Sequence, residues 1–358
     1  IQSYTRTKTN NYEEFNAMME IRTNSSNNTV YADIDGNIAY YHGNFIPVRN
    51  DSIDYSRPVN GSDPSTDWKG LHTVDESITL LNPGTGWIQN CNSTPFTAAG
   101  AYSPKAEDYP KYMTSYPENL RGIHALAILD TASNLSLDGL IQLGYDPYLP
   151  GAELLISGLV EALEEGPRNV ELELAFDILG IWDYRVGIDS KAMTICHYYL
   201  AAYSMTGKAP QVGKNERMHY MGQQSSTVER LEVLKQALEN LKEDFGSTEV
   251  PWGEFNRYQR LDGAIRQQYD DNAPSIPVGM ASGSWGALAS FGARRGENTK
   301  RQYGVSGNSF VAVVEFGDKV KAKSLLAGGQ SSNPESPHFD DQAQRYADAQ
   351  FKDVAYYR

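Results

Sequence analysis

The chain has 358 residues, and 31 Lys+Arg stand against 45 Asp+Glu, leaving a net charge of −14 at neutral pH. That balance argues against a nucleic-acid partner, because phosphate-backbone binding runs on clustered Lys and Arg. With 40% hydrophobic and 21% charged residues the chain is globular in composition, and its longest apolar runs, such as 154–159, are too short for a membrane-spanning helix.

Apolar side chains at Tyr12, Phe15, Met18, Met19 and Ile21 predict a helix over 10–22, with Asn11 able to cap it. Next, 29–33 and 37–42 flank Ile34-Asp35-Gly36, an Asp-Gly turn between β-branched and aromatic runs, which predicts a hairpin. From 47 to 86 the chain is rich in Gly, Pro, Asn, Ser and Asp and reads as long loops with two short strands, one near 87–89. Four helices follow at 118–131, 152–163, 190–205 and 226–245. The last has Thr227 as cap and a stripe of Val228, Leu231, Val233, Leu234, Leu238 and Leu241. Gly/Pro stretches near 143–151 and 206–223 join them. The C-terminal part returns to strand: 309–316, Gly317-Asp318 and 320–326 predict a second hairpin with Lys319, Lys321 and Lys323 outward. The order is strand block, helix block, strand block, which divides the chain at 1–117, 118–275 and 276–358.

Cys91 and Cys196 allow at most one disulfide, and no CxxC or Cys/His cluster marks a zinc site. The histidines at 42, 72, 124, 197, 219 and 338 have no metal-ligand spacing. There is no GxSxG, HExxH, P-loop or strand-borne GxGxxG; the glycines of 283–286 and 304–307 read as small-residue turns. Triplets beginning at Asn24, Asn27, Asn60 and Asn92 match the glycosylation sequon, a pattern that chance supplies readily in an Asn/Ser/Thr-rich chain.

Three segments carry information as a set. They are Tyr31-Ala32-Asp33-Ile34-Asp35-Gly36-Asn37-Ile38-Ala39-Tyr40-Tyr41 with its continuation to Arg49, then Asn82-Pro83-Gly84-Thr85-Gly86-Trp87-Ile88-Gln89-Asn90-Cys91-Asn92-Ser93-Thr94-Pro95, and last Gly328-Gly329-Gln330-Ser331-Ser332-Asn333-Pro334 with Ser336 to Gln342. In this order they resemble the penicillin acylase family of N-terminal-nucleophile hydrolases, and the Gly-Trp-Ile-Gln-Asn form looks closest to the acyl-homoserine-lactone and aculeacin acylase branch. The resemblance covers about 29–121 and 308–346.

It implies an α+β fold, part of an αββα core with a large helical insert. It also implies an amide hydrolase in which a Ser at the start of the large chain attacks while its own α-amine, of pKa near ~8, acts as base. By this resemblance Asn92 is the amide that hydrogen-bonds the tetrahedral oxyanion, and Arg121 is the active-site guanidinium that orients it. A glycan on Asn92 would exclude that role. Asp108 falls in the loop where some relatives hold calcium; otherwise no cofactor is implied. The nucleophile and the small chain are absent, so the sequence reads as the C-terminal portion of a large chain, inactive alone. Its implied partners are the missing N-terminal part, the small chain and a small-molecule N-acyl substrate such as an acylated lactone, β-lactam or lipopeptide. The relatives imply a periplasmic or secreted location and roles in quorum quenching or antibiotic biosynthesis. The alternative is a binding or structural protein that keeps the scaffold without the chemistry, its Tyr-rich loops covering a partner.

Overall fold

A computed structural model describes residues 1–24 and 27–355; Ser25 and Ser26, part of the Asn24 sequon, lie outside the described residues. The chain forms two compact units, 1–133 with 316–319, and 134–315 with 320–355. Helix 120–129 therefore belongs with the N-terminal strands, and the helices from 137 onward share a unit with the C-terminal strands.

In the first unit, a short α1 (Gln2–Thr5) precedes α2 (Tyr12–Met19), which starts where the Asn11 side chain accepts from the Glu14 N–H. The predicted hairpin forms as β1 (Thr29–Ala32) and β2 (Ile38–Tyr41), paired antiparallel with Gly36 at φ 85°. Phe15, Met18 and Met19 of α2 pack on Ala39, Tyr41 and Val74. The strand expected near 87–89 does not form. Instead β3 (Thr79–Leu81) pairs with β2, and 87–89 is irregular because Gln89 donates to the Ala98 and Thr97 carbonyls across a loop. Helix α3 (Leu120–Leu129) closes the unit; it buries Leu120, His124 and Ala125, whereas the expected apolar position Ile123 faces out.

The second unit is built on helices. Its members α4 (Leu137–Gly144) and α6 (Val170–Leu179), capped by Ser136 and Asn169, were not expected from the pattern. Between them runs α5 (Pro150–Glu165), and after them α7 (Lys191–Met205), capped by Ser190. The stretch read as a linker over 206–223 contains α8 (Lys214–His219) and a π-helical turn (Tyr220–Gln224). Helix α9 (Thr227–Phe245) is capped by Ser226, whose hydroxyl accepts from the Glu229 N–H, so Thr227 is the first helical residue and not the cap. Val228 is exposed and Arg230 turns inward in its place, donating to the Gly158 carbonyl at 2.8 Å.

After α10 (Trp252–Phe255), strands β4 (Asn256–Tyr258), β5 (Ile276–Pro277), β6 (Phe291–Arg295) and β7 (Gln302–Gly307) form a sheet of order β5-β4-β7-β6. The second predicted hairpin forms as β8 (Phe310–Glu315) and β9 (Lys321–Leu326), joined by β10 (Lys352–Asp353) after α11 (Ala343–Ala347). Lys321 is exposed, but Lys323 leans to Asp138. The 328–342 loop serves backbone geometry: a Cβ on Gly329 would lie 2.3 Å from the His338 carbonyl oxygen, and Arg260 donates to the Ser331 and Phe339 carbonyls. His338 meets Asp341 at 3.0 Å on an exposed turn. Among the described residues the N- and C-terminal strand blocks share no sheet, and no helix is long and apolar enough to cross a membrane. The whole is an α+β fold with small sheets.

Candidate active site

The site expected from the sequence lies entirely within the first unit. Past β3 the chain turns through Pro83 and Gly86 and reaches Gln89, whose two hydrogen bonds to Ala98 and Thr97, at 2.8 and 3.1 Å, close a loop over 90–97. Ser93 and Pro95 are buried and anchor that loop. Asn92 stands at its tip, exposed, with φ 55°. Asn tolerates this left-handed conformation better than other residues with a Cβ, so the backbone alone already favours an Asn here.

Helix α3 holds the loop in place. Its cap Asn119 accepts from the Gly122 N–H at 3.1 Å, and the same side chain donates to the Cys91 carbonyl, also at 3.1 Å. At the second residue of the helix, Arg121 Nη2 donates to Asn92 Oδ1 at 3.0 Å. Two consecutive loop residues are therefore tied to the first turn of one helix. Glu118 braces the junction, accepting from the Thr97 hydroxyl at 2.6 Å and from the Asn119 N–H at 2.8 Å.

The Arg121 contact settles the orientation of the Asn92 amide. A guanidinium has only donors, so the oxygen of Asn92 must face it and the NH₂ must point away. No acceptor among the described residues takes that NH₂. The chain thus presents an oriented, unsatisfied amide donor backed by a positive charge.

Burial pushes the Cys91 thiol up; Arg121 pulls it back and Glu118 adds to the rise, with a net increase. Both cysteines are free thiols. A buried polar chain missed in the sequence supports the loop from behind. Asn90 Nδ2 donates to the Tyr40 hydroxyl at 3.4 Å, and Asn90 Oδ1 accepts from the Asn92 N–H at 3.4 Å. Because Tyr40 accepts from Asn90, its own O–H donates to His42 Nδ1 at 2.7 Å, and His42 Nε2–H donates to the Thr114 hydroxyl at 3.0 Å. This tautomer is neutral, and burial lowers the His42 pKa to about 4. The only sequence signal for the chain was Asn90 beside Asn92; the pairing of 40 and 42 with 90 and 114 is tertiary. Asn119 had a clearer one, an Asn directly before an apolar helical run.

Asp108 sits on an exposed single turn over 106–108. No group of three His, Cys, Asp or Glu among the described residues could hold a metal ion. A calcium ion at Asp108 would need ligands from elsewhere, and no chemistry is routed through one.

Comparison with known proteins bears on the family and the fold. The penicillin amidase family model matches residues 2–358. Penicillin G acylase of Escherichia coli is 40% identical over 68 residues, a match covering 19% of this chain and 8% of that protein. The fold is similar to that of a thermostable penicillin G acylase from Alcaligenes faecalis, with a TM-score of 0.60 at 18% identity, covering 99% of this chain and 68% of that one. The chain therefore matches only part of the length of these relatives. With a family model spanning nearly every residue, and an α+β fold shared with a solved acylase, the chain belongs to the penicillin amidase family.

Proposed function

We propose that this chain supplies the oxyanion-stabilising half of an N-acyl amide hydrolase. Asn92 donates its NH₂ to the developing alkoxide, and Arg121 positions Asn92. The attacking Ser hydroxyl and its α-amine base come from a preceding part of the protein that these residues do not include. The observation that carries the reading is the 3.0 Å bond from Arg121 to Asn92 Oδ1, which commits the amide to present its donor outward.

That donor is exposed in this chain, and an exposed donor stabilises an oxyanion weakly because water competes with it. The remaining part of the large chain, together with the small chain, would enclose it and line the acyl pocket. Substrate choice rests with that part. Acylated lactones, β-lactams and lipopeptides are the classes in view, quorum quenching being one use of the first and antibiotic biosynthesis another setting for the family. A periplasmic or secreted location fits the same reading, as does a calcium ion at Asp108 with ligands from beyond this chain. The isolated chain is expected to be inactive.

In the complete enzyme, Asn92→Ala lowers kcat by about 10²–10³ with KM little changed and an unaltered circular-dichroism spectrum, the loss typical of one oxyanion donor. Full retention of kcat removes Asn92 from the chemistry.

A further inference from the structure

The second unit carries a cavity that the acylase reading does not use. It has a volume of about 300 Å³ and lies against α7, α10, the 282–285 turn and strands β6 and β7. Trp252, Trp285 and Phe291, all buried, give it apolar walls, and His197 and Gln302 bring polar groups to it. No Asp, Glu, Lys or Arg borders it.

His197 and Gln302 have hydrogen-bonding capacity left. The His197 ring stands 5.0 Å from the Phe255 ring and 5.7 Å from that of Trp252, and neither of its nitrogens has a hydrogen-bond partner among the described residues. Burial, then the charge of Arg295, lowers its pKa to about 4, so at neutral pH it offers one donor and one acceptor. Gln302 is only 5% exposed. Its NH₂ donates to Asn256 Oδ1 at 2.9 Å, while Asn256 donates to the Val278 and Met280 carbonyls, which fixes both amides. The Gln302 carbonyl oxygen is left without a donor among the described residues. That oxygen borders the cavity, where a ligand donor can reach it.

The walls are built in advance. Trp252 Nε1 donates to the Met280 carbonyl at 3.1 Å. The Ser282-Gly283-Ser284-Trp285-Gly286 turn, anonymous in the sequence, is held by Ser282 Oγ accepting from the Ser284 N–H and by the Gly283 N–H donating to Ser290 Oγ. An apolar cavity of ~150 Å³ already holds benzene, so this one has room for a substituted or fused ring. A charged group would lose its hydration here, and the nearby Arg295 is already paired with Asp244.

We propose that this cavity is a binding site for a neutral, planar heteroaromatic small molecule of the indole kind. Its ring lies against the aromatic walls and its N–H is taken by His197 or Gln302. The test is calorimetric titration of the complete protein with indole, 1-methylindole and indole-3-carboxylate. Indole is expected to bind saturably at one site. 1-Methylindole, which lacks the donor, should bind at least fivefold weaker, and the carboxylate at least tenfold weaker. Ala201→Phe places a ring at the cavity's exposed rim and should weaken indole at least tenfold, whereas Asn92→Ala should leave it unchanged. Absence of saturable binding up to millimolar indole overturns the proposal, and so does binding that Ala201→Phe or the added carboxylate leaves intact. If the Ala201→Phe protein does not fold, nuclear Overhauser contacts between indole and the Trp285 ring decide, and their absence overturns the site.

Discussion

A single side chain, Arg121, connects the conformation of Asn92 to the reactivity of its neighbour Cys91. Removing the guanidinium frees the Asn92 amide to rotate and expose its oxygen, so Arg121→Ala in the complete enzyme should lower kcat by about tenfold or more. Arg121→Lys keeps the charge but offers a flexible point donor in place of a planar fork, and should recover activity only in part. A second readout is independent of turnover. Arg121 pulls the Cys91 thiol down against its burial, so without it the thiol titrates still higher and less thiolate is present at any pH. Alkylation of Cys91 by iodoacetamide at pH 8 should therefore slow in Arg121→Ala. Unchanged alkylation would show that the guanidinium does not sit where the 3.0 Å bond places it.

At the scale of elements, two small features hold the architecture. Asn119 both caps α3 and grips the Cys91 carbonyl. Asn119→Ala should cost about 1 kcal/mol for the lost cap, read as a lowered Tm, and should also lower kcat because the Asn92 loop loses one of its ties. In the second unit, α5 and the π-helical turn meet backbone to backbone. A Cβ on Gly222 would lie 2.0 Å from the Leu154 carbonyl oxygen, and one on Gly158 would lie 1.9 Å from that of Gly222. Neither obstacle is a movable side chain, so Gly222→Ala should destabilise by roughly 3 kcal/mol or more. A thermal melt within one degree of the parent would contradict that contact.

These same elements show what a sequence discloses. Both hairpins and helices α2, α3, α5, α7 and α9 were legible, because each has a sustained period or an Asp-Gly or Gly-Asp turn, and Asn11 announced its helix as a cap. Helices α4 and α6 were not: each stands beside a stretch containing Gly and Pro that reads as loop, a local preference that packing overrides. Strands β4 and β5 have too few residues to show alternation, and the partners in their sheet lie far apart in sequence: Asn256 pairs with Gln302, and Arg257 with Pro277. Asn92 and Arg121 came from motif resemblance; the bond between them, and the Asn90–Tyr40–His42–Thr114 chain, depend on tertiary approach across tens of residues that no local pattern encodes.

For the whole molecule, the question is how it responds to acid. Burial keeps His42 in the first unit and His197 in the second neutral, both lowered to about 4. In the unfolded chain these groups take up a proton near ~6.5, so between pH 6.5 and 4 the unfolded state binds more protons than the native one. Stability from this source is complete above 6.5 and is lost as pH falls toward 4. Hydrogen-bonded carboxylates with lowered pKa, Asp33, Asp54, Asp63 and Asp341 among them, act in a lower window, failing only below about pH 4. General charge effects run the other way: the net charge of −14 shrinks toward the sequence pI of about 4.9, which relieves self-repulsion. A falling Tm between pH 6.5 and 4.5 would therefore come from the two specific groups against the background trend. The double variant His42→Phe with His197→Phe should flatten or reverse the Tm–pH slope in that interval, whatever its absolute Tm. A slope equal to that of the parent would mean that neither imidazole is held neutral by the fold.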